Sequence, residues 1–163
     1  MRVRLIGPGD LETWCRLRSA LWPAAPEDEL MSEAEAYLGG ASALKAVFLC
    51  EAAPGAALGM LELSLRSYAE GCRSTPVPYV EGWYVVPEAR RRGVGRALAT
   101  AAERWAEERG YRELASDAPL DNRASELAHR ALGFVEVERA IHFRKDLARA
   151  AAGVPAANPM RPP

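Results

Sequence analysis

The spacing of apolar and polar positions changes several times along the chain, and each change marks an element. "VRLI" at 3–6 predicts a short strand, closed by the turn residues "GPGD". Asp10 stands at an N-cap position, and Leu11, Trp14, Leu17 and Leu21 then recur at helical spacing, which predicts a helix over 11–21 ended by Pro23 and Pro26. "EDELMSEAEAYL" predicts a second helix, stopped at Gly39 and Gly40. The period then falls to two. Residues 45–51 and 58–66, separated by "AAPGAA", read as hairpin-connected strands, with Leu61, Leu63 and Leu65 facing away from Glu62 and Ser64.

After the polar loop "SYAEGCRSTPVP", the stretch "YVEGWYVV" at 79–86 predicts a strand, and its Gly82 predicts a bulge or a close backbone approach. Pro87 stops it. Val94, Leu98, Ala101 and Trp105 return to helical spacing, with Glu103, Arg104, Glu107 and Glu108 turned to water and Gly110 as the stop. "YRELAS" predicts a further strand, "LDNRASELAHRAL" a helix opened by Asp121 or Asn122, and "FVEVERAIHFRKDL" one or two final strands. This order implies an α/β (α+β) fold, a mixed sheet flanked by helices, in one domain over 1–148. Residues 149–163 carry alanine, proline and glycine without an aromatic anchor, and a disordered tail is expected there.

Composition removes several function classes. The chain has 163 residues, 49% of them apolar and 26% charged, which suits one globular unit. A formal net charge of -1 gives no general positive field, so nucleic acid is not an expected partner and any anion site must be local. No apolar run approaches the roughly 20 residues of a membrane span, and the start lacks a signal-peptide core, so no membrane partner and a cytoplasmic location are expected. Cys15, Cys50 and Cys72 are odd in number and widely spaced, and only His129 and His142 could join them; no metal site and no disulfide framework is expected.

The chemistry concentrates in "VPEARRRGVGRAL", where a strand end, a basic glycine turn and a helix start follow one another. The first turn of a helix leaves backbone N–H groups unpaired, its dipole favours negative charge, and glycines clear the approach of a phosphate. The spacing and the missing lysine exclude a Walker loop, and Leu98 stands where a dinucleotide fingerprint needs its third glycine. Arg90, Arg91, Arg92, Gly93, Val94 and Gly95 match residue for residue the acetyl-coenzyme A signature of the GNAT N-acetyltransferases, and the element order resembles the GNAT fold over about 1–147. "LRSALW", "YVEGWYVVPEARRRGVG", "ELASDAPLDN" and "HRALGF" further resemble bacterial aminoglycoside 6'-N-acetyltransferases.

That resemblance implies acetyl-CoA as donor, a cationic aminoglycoside as acceptor and direct transfer in a ternary complex; no cysteine lies in these segments to carry the acetyl group. It places Arg91, Arg92, Gly93, Val94, Gly95 and Arg96 around the pyrophosphate, Trp83, Tyr84 and Val85 along the pantetheine arm, and Asn122 as a further donor contact. Glu81 and Asp117 are the two carboxylates expected at the acceptor crevice, Glu81 the first choice for proton acceptor, directly or through water, and Asp117 either an anchor for the cationic substrate or the base. Trp22, Tyr68 and Glu138 match substrate-binding positions, and Glu136 alternates onto the same strand face as Glu138, whereas "PAAPEDEL" lacks the histidine that often follows the tryptophan, leaving Glu27 or Asp28 in its place. His129 occupies the position of the tyrosine that protonates the leaving thiolate in many GNAT enzymes; it serves that role or packs beside the cofactor. A homodimer with the C-terminal strands at its interface is also implied. The alternatives left open are a GNAT enzyme for another small polyamine or a protein N-terminus, and a non-catalytic acetyl-CoA-binding module.

Overall fold

The computed structural model describes residues 1–145. A five-stranded sheet in the order β1-β2-β3-β4-β5 runs through it. Its strands are β1 (Arg2–Leu5), β2 (Leu44–Glu51), β3 (Ala57–Arg66), β4 (Val77–Val85) and β5 (Ala115–Ser116). The first four pair antiparallel, and β5 joins β4 in parallel through Tyr79↔Ala115 and Val80↔Ser116. Four helices cover the sheet: α1 (Leu11–Leu21), α2 (Glu27–Leu38), α3 (Val94–Glu108) and α4 (Arg123–Ala131).

The strand alternation sorts into two cores. Phe48, Leu61, Leu63 and Val80 pack under Val94, Leu98, Ala102 and Trp105 of α3, while Val47, Leu49 and Met60 pack under Trp14 and Leu17 of α1 and Ala34 of α2. Each such fully buried aliphatic or aromatic side chain contributes about 1.5–3 kcal/mol. Because both faces are covered, Glu62 does not face water as a polar strand position usually does; it is 1% exposed. It meets Arg18 of α1, with Nε 3.1 Å from Oε1, and accepts a hydrogen bond from the Trp14 indole at 2.6 Å. Arg18 also donates to the Leu30 carbonyl and to Glu33 of α2. One buried cation thus ties both helices to the sheet.

Asp10 is the N-cap residue of α1, as expected, but its side chain makes no cap hydrogen bond; its carboxylate is taken by Arg4 and by the Gly7 N–H. Two other expectations need correction. The strand predicted over "YRELAS" contracts to Ala115–Ser116, because Tyr111 stacks on Trp105 and Glu113 accepts from the backbone of Arg73 and Ser74. The final strands predicted over 134–147 do not form in the described part, 134–145. There Glu136 ion-pairs with Arg130 and Arg139, and the alternating Val135, Val137, Ile141 and Phe143 are exposed, with no strand among the described residues paired to them. The expected tail over 149–163 lies outside the described residues.

Candidate active site

β4 and β5 share only two residue pairs and then part, so beyond Val80 the edge of β4 is open on that side. At the parting point the pairing with β3 slips between Glu62 and Leu63, which leaves Glu81 as the extra residue of a bulge, as Gly82 predicted. The absence of a side chain at Gly82 is required: a Cβ there would lie 2.8 Å from Cη2 of Trp22. Trp22, at the end of α1, therefore lies against the bulge beside Glu81, backed by the Arg18 guanidinium 5.2 Å from its ring.

Beyond the bulge the Val86 N–H is committed to the Leu58 carbonyl of β3. Strand alternation then turns the N–H and C=O of Trp83 and Val85 to the open edge, where the Arg90 side chain takes the Val85 carbonyl at 3.1 Å. The same alternation turns the backbone of Tyr84 toward β3, so a pantetheine-like arm lying on this edge meets Trp83 and Val85 and not Tyr84. Tyr84 instead packs its ring in the α1–α2 core.

The two motif glycines do different work. Gly93 has φ +82, the left-handed region that glycine enters freely, and forms the N-cap of α3. Gly95 admits Trp83, whose Cζ2 would lie 2.9 Å from a Cβ at that position. Arg91, at φ 61, turns the chain so that the Arg91–Gly95 backbone curls over the helix start. An anion fits this cradle because the first-turn N–H groups of α3 have no side-chain cap. Gly95→Val is expected to displace Trp83 and weaken acetyl-CoA affinity by about tenfold or more, at one buried clash's worth of strain; titration calorimetry with acetyl-CoA, beside a thermal melt, checks this. Arg96 reaches across to the Ala131 carbonyl at the end of α4. Asn122 caps α4, its side-chain oxygen accepting from the Ser125 N–H at 3.0 Å, so its established contact is structural.

Two groups of polar side chains flank the parting strands. Toward α1 and α2, Arg66 donates to both oxygens of Glu81, at 2.9 and 2.6 Å, and the Ser64 hydroxyl donates as well. Burial pushes the Glu81 carboxyl up, but the hydrogen bonds from Arg66 and Ser64 outweigh it and hold it below the usual range. Tyr79 donates its hydroxyl to Asp117 at 2.9 Å; burial and then that carboxylate push the phenol well up. Toward α3, His129 of α4 packs edge-on to Trp83 and Phe134. Its Nδ1 lies 2.8 Å from the Ser125 carbonyl, an acceptor only, so Nδ1 carries a proton; Nε2, 2.9 Å from the Ser116 hydroxyl, accepts from it when unprotonated and donates to it when protonated.

Of the expected acceptor-binding residues, Trp22, Glu81 and Asp117 gather at the bulge. Tyr68 is 67% exposed in the loop between β3 and β4. That loop touches the C-terminal segment where Gly71 (φ +72) faces Val137. Glu136 is bound into ion pairs with Arg130 and Arg139, and it and Glu138 do not share the strand face expected of them. Ser64, Arg66, Tyr79 and Ser116 are members of the site that sequence reasoning missed; only their positions opposite or beside Glu81 and Asp117 could have signalled them. All three cysteines are free, and burial pushes each thiol up, away from nucleophilic use.

A mixed sheet that parts beside an anion-binding turn, with carboxylates on one flank and an imidazole on the other, defines an acyl-transferase scaffold. The acetyltransferase (GNAT) family pattern matches residues 11–134, and the chain belongs to that family. It is 50% identical over 146 residues to an aminoglycoside N(6')-acetyltransferase type 1 of Klebsiella aerogenes, covering 89% of this chain and 96% of that protein. An enzyme of the same name from Stenotrophomonas maltophilia is 43% identical over 146 residues, covering 89% and 93%. Among solved structures, AAC(6')-Iy in complex with the bisubstrate analogue CoA-S-monomethyl-acetylneamine superposes with a TM-score of 0.82 at 41% identity, covering 89% of this chain and 97% of that one.

Proposed function

We propose that this protein transfers the acetyl group of acetyl-CoA to the 6'-amine of aminoglycosides and so confers resistance to them. The observation that supports it most is the Glu81 bulge, which sets two carboxylates and an indole on one flank of the parting strands while the phosphate cradle opens on the other. Acetyl-CoA supplies an activated thioester. The chain's own groups do the rest: the Arg91–Arg96 turn holds the donor, the open-edge N–H of Val85 polarises the acetyl carbonyl, Glu81 and Trp22 hold the cationic acceptor, and Asp117 takes the proton of the attacking amine. His129 supplies the proton for the departing sulfur when its ring is the imidazolium, which carries a proton on Nε2 as well as on Nδ1. Direct transfer in a ternary complex agrees with the inert cysteines.

The names of the relatives support the aminoglycoside and the position of the amine. A homodimer belongs to this reading: the exposed alternation of Val135, Val137, Ile141 and Phe143 is suited to pairing with a second copy. So does a cytoplasmic location, where acetyl-CoA is made; among the described residues no helix is long and apolar enough to cross a membrane. The test is thiol release from acetyl-CoA with kanamycin-type aminoglycosides, their 6'-hydroxyl analogues, spermidine and peptides. Turnover of the 6'-amino compounds and none of the 6'-hydroxyl analogues is expected. Equal turnover of both would remove the regiochemistry, activity on peptides alone would remove the substrate class, and binding without turnover would make the protein a donor-binding module.

A further inference from the structure

The acceptor flank already contains a cation. Arg66 closes β3, and its guanidinium lies over Tyr79, with Cζ 3.4 Å from the ring centroid, while Nε and Nη2 donate to the two oxygens of Glu81. Tyr79 in turn holds Asp117. The planar fork therefore sits where carboxylates and an aromatic face converge, which is the environment a substrate ammonium would seek. An incoming ammonium cannot pair fully with a carboxylate whose oxygens both accept from another cation. The guanidinium also has an exit: the Arg66 side chain is 43% exposed, whereas that of Glu81 is 27% exposed. Swinging Arg66 outward puts its charge into water and buries none.

We propose that Arg66 is an acceptor-specificity residue, whose guanidinium occupies Glu81 until an ammonium of a polycationic acceptor displaces it. This rests on the reading that the acceptor is a cationic amine bound beside Glu81. The amine that is acetylated must be neutral to attack, so a monoamine offers nothing to take the guanidinium's place, whereas a polyamine brings a second, charged nitrogen. The exchange is one cation for another at one carboxylate, with no net change of charge in the crevice. Its effect is selection: acceptors with several ammonium groups bind, and acceptors with one compete poorly against a tethered arginine whose effective concentration is fixed by the chain.

Calorimetry on wild type, Arg66→Gln and Arg66→Lys decides it, with a kanamycin-type aminoglycoside, spermidine and a monoamino sugar as probes. Arg66→Gln is expected to tighten the polyamines by about fivefold and the monoamino sugar by about tenfold or more, so that selectivity for polyamines shrinks; Arg66→Lys, which lacks the planar fork, falls between. In the wild type, the Arg66 Nε–H resonance is expected to be protected in the free protein and exchange-broadened once the polyamine saturates. Equal or weaker polyamine binding in Arg66→Gln, or an Arg66 Nε–H that stays protected at saturation, overturns the proposal. Should Arg66→Gln not fold, judged by its melt and its acetyl-CoA affinity, the resonance and Arg66→Lys carry the decision. The functional reading fails separately: if the wild type acetylates spermidine or a peptide and no aminoglycoside, the same exchange is read with that amine.

Discussion

Arg18→Met is expected to lower the free energy of unfolding by about 3–5 kcal/mol at neutral pH, because it leaves a buried carboxylate without its cation. Arg18 is 5% exposed and Glu62 1%. Burial pushes the Glu62 carboxyl up from its ordinary 4.5, opposed first by the charge of Arg18 and then by the Trp14 hydrogen bond. Removing Arg18 removes the largest opposing influence, so the folded-state value climbs further. A carboxyl whose folded value lies above its unfolded one favours folding fully below the unfolded value, and that advantage is lost as pH rises through the folded value. The deficit of the variant should therefore be small near the ordinary 4.5 and grow as pH rises above it. Urea unfolding of both proteins across that range measures it. The double replacement Arg18→Met with Glu62→Gln should recover part of the loss, since it removes the buried charge while the amide oxygen still accepts from the Trp14 indole; a deficit independent of pH, or no recovery in the double variant, would refute the account.

Asp117→Asn is expected to lower kcat by about 10²–10⁴-fold with little change in acceptor KM, and Glu81→Gln to raise acceptor KM with the smaller effect on kcat. The division follows from how the two carboxylates are held. Glu81 has both oxygens engaged by Arg66, one of them by Ser64 also, and sits below the usual carboxylate range, which suits a group that stays charged and holds an ammonium. Asp117 accepts one hydrogen bond, from Tyr79, and keeps an oxygen for the acceptor's proton. Steady-state kinetics on each variant, with the aminoglycoside varied at saturating acetyl-CoA, separates the parameters. The reverse assignment of effects would exchange the roles, and unchanged turnover in both would remove carboxylate catalysis from this site.

Much of this was legible in the residues, for local reasons. The helix stripe of Val94, Leu98 and Trp105 found its core. Gly82 marked a bulge because a strand tolerates a glycine only where the backbone departs from regular pairing or something approaches closely, and both hold here. The glycine turn pointed to an anion site because that chemistry would be carried by consecutive backbone groups. A helix opening at Asp121 or Asn122 was readable for the same reason, and Asn122 is the one that caps it. The C-terminal alternation "FVEVE" misled, since period two states only that a segment could pair, and no described strand of this chain is there to pair with it.

The sequence by itself determined most of the elements and marked the candidate donor cradle and the two carboxylates, because each depends on a few neighbouring residues whose backbone needs or charges are independent of the rest of the chain. Only the tertiary structure decided which groups those carboxylates answer to. Arg66 and Glu81 are 15 positions apart, and Ser116 and His129 are 13 apart. Arg18 and Glu62 lie on different elements altogether. Such pairings follow from register and from the covering of both sheet faces, which no local pattern records, and in them the protein sets whether a given charge binds, buries or moves a proton.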